Sequence, residues 1–233
     1  MPVKPTLFAV TDIETTLKHR IAFDVAWRWI DRRGKEYAKG SYLIEEAFKY
    51  DVPYFKEKLG FYFKDTFEHY IQPLSMAYIR ILFNEQLNDF RSDGHNLVFA
   101  AYNAAFDTKY LGKTCQKILK MPFLDSQLNM LDIWHYWALS VPMNYKAPLT
   151  ASGKFYSTSA ESVFQYENQD PNFEERHIAF SDVEIESKIL LKVLARKKKM
   201  PIVSHPKNFA SGVYRLANLR LGVDGTTPLP IAT

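Results

Sequence analysis

Residues 6–15 read TLFAVTDIET, a short apolar run that closes on two acids one residue apart. Residues 6–11 are rich in β-forming side chains and have the pattern of a strand buried on both faces. Side chains two positions apart on a strand point the same way, so Asp12 and Glu14 present paired carboxylates at the strand's end. Like charges held that close repel, and a bound divalent cation is the most direct remedy. Solvated strand-end acids are the plain alternative.

Further β-like runs lie outward from this stretch. Residues 21–30 (IAFDVAWRWI) alternate Ile21, Phe23, Val25, Trp27 and Trp29 with mixed partners. Residues 31–36 (DRRGKE) form a turn about Gly34, and 37–44 (YAKGSYLI) continue as a third strand. NLVFAA at 96–101 is a fourth strand, and MLDIW at 130–134 a fifth. Helical spacing appears at 75–90, where Ile79, Leu82, Phe83, Leu87 and Phe90 share a face, and at 104–119. It returns at 182–198 through Val183, Ile185, Ile189, Leu190, Val193 and Leu194. Three hairpin-linked strands followed by helices alternating with short strands predict an α/β domain on a mixed sheet.

Two segments stand apart from this pattern. Residues 45–74 hold nine aromatics between Phe48 and Tyr70, interleaved with Lys49, Lys56, Lys58 and Lys64. Four acids (Asp51, Glu57, Asp65, Glu68) cancel those lysines, which favours a small hydrophobic sub-core over a base-stacking surface. The main domain is expected to span 1–199 with 45–74 as an insertion. Residues 200–233 form a C-terminal extension, with a short helix near 212–221 carrying Arg215 and Arg220.

Bulk composition narrows the class. With 47% apolar and 24% charged residues the chain can bury a core, and disorder is excluded as the whole answer. A net charge of +4 is compatible with a nucleic-acid partner without requiring one. The single Cys115 excludes an intramolecular disulfide and a cysteine-cluster zinc site. No leader-like or membrane-spanning run is evident, so a soluble, cytoplasmic protein is expected. G-x-S-x-G, Walker-type and G-x-G-x-x-G patterns are missing, which leaves triad hydrolases and nucleotide-fold enzymes without support.

More acids follow at element ends. In NAAFD (103–107), a helix starting near Asn103 places Asn103 and Asp107 one turn apart on one face. Asn103 also suits a simple N-cap. In HIAFSD (177–182), Asp182 falls in the first turn of the last long helix, where a carboxylate is favoured in any case. His177 lies just before that helix, close enough to reach the same place. Asp132 reads either as an acid tuning the site from behind or as a strand-end residue.

Taken in order, FAVTDIETT (8–16), VFAAYNAAFD (98–107) and HIAFSDVE (177–184) resemble the motifs of the DEDD superfamily of exonucleases. The likeness is to its histidine branch, which includes DnaQ-like proofreading subunits. The H-x-A-x-x-D pattern is complete, while the tyrosine branch's position holds Ile178. The resemblance implies a ribonuclease-H-like fold around a central mixed five-stranded sheet flanked by helices. It implies that Asp12, Glu14, Asp107 and Asp182 hold two Mg²⁺ or Mn²⁺ ions, which activate a water and stabilise the leaving 3′-oxygen. His177 is then the general base, with Thr15, Asn103 and Phe106 near the terminal nucleotides. The implied activity is 3′→5′ removal of nucleoside 5′-monophosphates from single-stranded or frayed DNA. RNA 3′ ends are an alternative substrate, and a DNA polymerase or replication protein is an implied partner. A catalytically inactive polymerase-associated scaffold is the reading from another class, disfavoured because all five motif side chains are present.

Overall fold

The protein is described by a computed structural model covering residues 4–50, 72–126, 128–141, 145–150, 156–197 and 199–204. Its strands are β1 (Thr6–Thr15), β2 (Ala22–Asp31), β3 (Glu36–Ile44), β4 (Gln72–Leu74), β5 (Asn96–Ala101) and β6 (Asn129–Asp132). Its helices are α1 (Met76–Ser92), α2 (Ala104–Leu119), α3 (Ile133–Ala138), α4 (Ala160–Asn168) and α5 (Ala179–Arg196), with a 3-10 turn at Glu45–Tyr50. The strands form one sheet in the order β4-β3-β2-β1-β5-β6. β1, β2 and β3 are joined antiparallel, whereas β1–β5, β5–β6 and β3–β4 pair parallel.

This is an α/β architecture on a mixed sheet flanked by helices, as the pattern predicts. The sheet has six strands among the described residues, not the expected five. The additional strand, QPL at the sheet edge, is too short for a period-two pattern, and its Pro73 is a residue sheets tolerate at their edges. The fifth expected strand is shortened. It ends at Asp132, whose carboxylate accepts the His135 backbone N–H at 2.9 Å and so starts a helix at Ile133. Residues 51–71 of the aromatic segment, and the helix expected near 212–221, lie outside the described residues.

Helices cover both faces of the sheet, and strand alternation assigns each side chain to one of them. Leu7, Ala9 and Ile13 of β1 join Trp27, Trp29, Ile79, Phe83, Leu87, Leu111 and Cys115 in a cluster that includes α1 and α2. Phe8 and Val10 belong to the opposite cluster, with Ile133, Trp137, Val163, Val183, Ile189 and Val193 of α3, α4 and α5. Asp12 and Glu14 share the parity of Phe8 and Val10, so they point to the side that α5 covers. The β2–β3 pair closes over Trp27, whose indole lies across Gly40. A Cβ there would come within 2.4 Å of the ring, so only glycine fits. The indole N–H is satisfied by Gln86 Oε1 at 2.9 Å.

Candidate active site

β1 runs on through the acids as far as Thr15, with a register shift against β2 between Glu14 and Thr15. Asp12 and Glu14 therefore lie in the strand, both partly buried. The start of α5 is pinned beside them. Its N-cap, Ile178, offers no side-chain acceptor, and buried Asp24 of β2 takes the Ala179 backbone N–H at 3.0 Å. That bond sets the first turn of α5, and with it buried Asp182, against the β1–β2 pair.

At the next strand end, Asn103 caps α2 in the left-handed conformation (φ 67°, ψ 52°) and makes no side-chain cap hydrogen bond. This differs from a simple N-cap, for which the side chain would accept the helix's N–H groups. The turn carries Asp107 inward to 2% exposure. The backbone N–H groups of Asp107 itself and of Ile13, which lies between Asp12 and Glu14, favour the charged form of its carboxylate.

These elements open on a cleft of about 490 Å³ whose walls include Asp12, Glu14, Asn103, His177, Asp182 and Glu186. His177 sits at its rim, 63% exposed at the side chain, with a left-handed φ of 52°. Glu14, His177 and Asp182 each bring one potential ligand atom within 4.8 Å of the others. Among the described residues that line the cleft there is no lysine or arginine.

The electrostatic consequence is strong. Burial pushes the Asp12 carboxyl well above the usual carboxylate range, and repulsion from Glu186, Asp107, Asp182 and Glu14 adds to it. Asp107 is also raised, first by burial and then by Asp132 and Glu14, with the Asp107 and Ile13 backbone N–H groups opposing. Glu186 is raised by burial and by Asp107 and Asp182, although it accepts the Tyr102 N–H at 3.2 Å. Glu175, also in the cleft wall, is pushed up to about 7 by burial and by Glu161. Its Oε2 lies 3.8 Å from His177 Nδ1, near enough to attract but too far for a hydrogen bond. Asp12 Oδ2 and Asp107 Oδ1 are sealed from solvent and accept no hydrogen bond among the described residues. Buried oxygens of that kind cost free energy unless a proton or cation meets them.

No protein-family model matches the chain, and no curated protein matches it either.

The donor set suits a hard divalent cation, which prefers several carboxylate oxygens and no sulfur. Asp12, Glu14, Asp107 and Asp182, the four acids singled out in the sequence, are drawn together with His177. Thr15 and Phe106 are not in the cleft wall. Thr15 is buried at the register shift, and Phe106 packs on Tyr110 at a centroid distance of 4.7 Å on the α1–α2 side. Asp132 caps α3 and also raises Asp107, so its two readings coexist. Sequence reasoning passed over Glu186 and Glu175. Glu186 had a signal, since it stands one helical turn after Asp182 on the same face. Glu175 had none, because the segment before α5 has no period.

A stability prediction follows from the raised carboxyls. A group whose pKa is higher in the folded state stabilises the fold below its unfolded pKa of about 4, and that contribution is lost as pH rises through the folded value. In EDTA the melting temperature is expected to fall between about pH 5 and pH 8. Mn²⁺ or Mg²⁺ should raise it more at pH 8 than at pH 5, because protons compete with the cation for the same oxygens as pH falls. Thermal unfolding followed by circular dichroism checks this. A metal-free melting temperature that rises across that window contradicts it.

Proposed function

We propose that this chain is a cytoplasmic, metal-dependent 3′→5′ exonuclease with a ribonuclease-H-like fold, belonging to the histidine branch of the DEDD superfamily. A single observation carries the reading: the motif acids Asp12, Glu14 and Asp182 of β1 and α5 line one cleft with His177 at its rim, and buried Asp107 of α2 lies near enough to repel Asp12. The mixed sheet with its helices on both faces is compatible with that fold. A buried free Cys115 suits a reducing compartment.

Asp12, Glu14, Asp107 and Asp182 would hold two Mg²⁺ or Mn²⁺ ions, leaving few of the sealed oxygens unsatisfied. When bound, such ions supply Lewis-acid polarisation of the phosphoryl group and make water a stronger acid. His177 accepts the proton of the water that attacks phosphorus, the general-base task that an imidazole most often performs. The phosphorus–oxygen bond to the 3′-oxygen of the preceding nucleotide breaks, that oxygen takes up a proton, and a nucleoside 5′-monophosphate leaves. Exposure of His177 at the cleft mouth gives the imidazole access to solvent, to which it returns the proton.

The deciding assay uses 3′- and 5′-labelled oligonucleotides of single-stranded DNA, duplex DNA and matched RNA, with Mg²⁺ or with EDTA. Stepwise shortening of the 5′-labelled single strand from its 3′ end, stopped by EDTA, is expected. An unchanged ladder in Mg²⁺ and in Mn²⁺ on every substrate sinks the proposal. The DNA and RNA arms separate a deoxyribonuclease from an exoribonuclease.

A further inference from the structure

The sequence holds four tryptophans, and Trp27, Trp29 and Trp137 are fully buried. Trp134, in the first turn of α3, is the exception: one part of its ring packs on the α3–α5 cluster, while another lines the acid cleft. Its neighbours in IWHYW explain the difference, since Ile133, Tyr136 and Trp137 take the buried positions of that short helix. Tyr102 stands beside the ring in the cleft wall. The two rings lie nearly parallel, at 21° and a centroid distance of 6.3 Å. Tyr102 is held at both ends, its hydroxyl donating to the Thr158 carbonyl at 2.6 Å and its N–H to Glu186 at 3.2 Å. Thr150, Ser157 and Ser159 bring hydroxyls to the same cleft.

We propose that Trp134, beside Tyr102, is a stacking platform for one unpaired nucleobase of the strand whose phosphate lies at the acid cluster. This assignment rests on the nuclease reading for the class of ligand. An aromatic face beside a cation-binding acid cluster fits a ligand with a flat, apolar ring tethered to a phosphate, which is the make-up of a nucleotide. Stacking tolerates any base because every base has a π-face, and the flanking hydroxyls can meet varied base edges. A base lying on Trp134 has left its place in a duplex, so the platform favours single-stranded or frayed ends.

Because the other three tryptophans are fully buried, intrinsic fluorescence reports on this position. Titrating the full chain with dAMP in Mg²⁺ is expected to change tryptophan emission, with 2-deoxyribose 5-phosphate as the base-free control giving no change. In Trp134→Phe the dAMP response should vanish because the reporting indole is gone, and oligonucleotide KM should rise less than in Trp134→Ala, because the smaller phenylalanine ring still stacks. Trp134→Ala should raise that KM roughly 5- to 150-fold, the worth of one base–aromatic stack, with a smaller change in kcat. Emission unmoved by dAMP, or the same change with the base-free sugar phosphate, overturns the platform, as does a Trp134→Ala KM equal to wild type. These fluorescence arms stand even if the alanine variant fails to fold. A dAMP response without any hydrolysis by the wild type keeps the platform and removes the nuclease reading. Normal hydrolysis without the response does the reverse.

Discussion

Asp12→Ala is expected to reduce hydrolysis by about 10³-fold or more, since the cation's Lewis-acid contribution is worth several kcal/mol and each ~1.4 kcal/mol is tenfold in rate. The fold should survive, because Asp12 lines the cleft and its removal takes away a carboxyl that its neighbours repel. Stability is expected to move the opposite way from activity. Asp12 is repelled by Glu186, Asp107, Asp182 and Glu14 and has one oxygen sealed without a partner, so deleting it relieves repulsion in the metal-free protein. Its melting temperature in EDTA at pH 8 should exceed that of the wild type, and its gain on adding Mn²⁺ should shrink. Initial rates on a 5′-labelled single strand and parallel melts measure both effects. A near wild-type rate in Mg²⁺ would remove Asp12 from the chemistry.

His177→Ala should lower turnover by about 10²–10⁴-fold, the usual worth of a positioned general base, with metal affinity little changed. The contrast with Asp12 is the point of the experiment, because Glu14, His177 and Asp182 lie close enough for the imidazole to serve as a ligand instead. If turnover and Mn²⁺ affinity fall together, His177 is a ligand and the base is elsewhere. His177 has a left-handed backbone, which alanine tolerates poorly. His177→Asn is therefore the better companion variant, since asparagine accepts that conformation and lacks a basic nitrogen. Equal losses in both variants assign the effect to the imidazole and not to strain.

Much of the fold was legible because burial leaves a periodic trace along the chain. Ile79, Phe83 and Leu87 were spaced for one face of a helix, and all three are buried in α1. Val183, Ile185, Ile189, Leu190, Val193 and Leu194 behave likewise in α5. The trace fails where elements are too short for a period. β4 has three residues with a proline among them, and α3 begins inside a run that reads equally well as strand. In MLDIW the Asp132 cap is decisive, and a single side chain accepting one N–H leaves no periodic mark.

The chain by itself determined five of the strands and the three long helices in their order, with the acids at their ends, since alternation and helical spacing are properties of neighbouring residues. It also determined that Asp12 and Glu14 point together, because two-residue periodicity allows nothing else on a strand. Only the tertiary structure decided what faces them: Asp182 through the Asp24 bond that pins α5, Asp107 through the turn at Asn103, and Glu186 one turn further along its helix. The packing of α3 likewise decided that Trp134, alone of four tryptophans, lines the cleft. The physical reason is range. Residues far apart in the chain meet according to sheet order and helix docking, and those are set by the sum of all packing contacts, not by any local pattern.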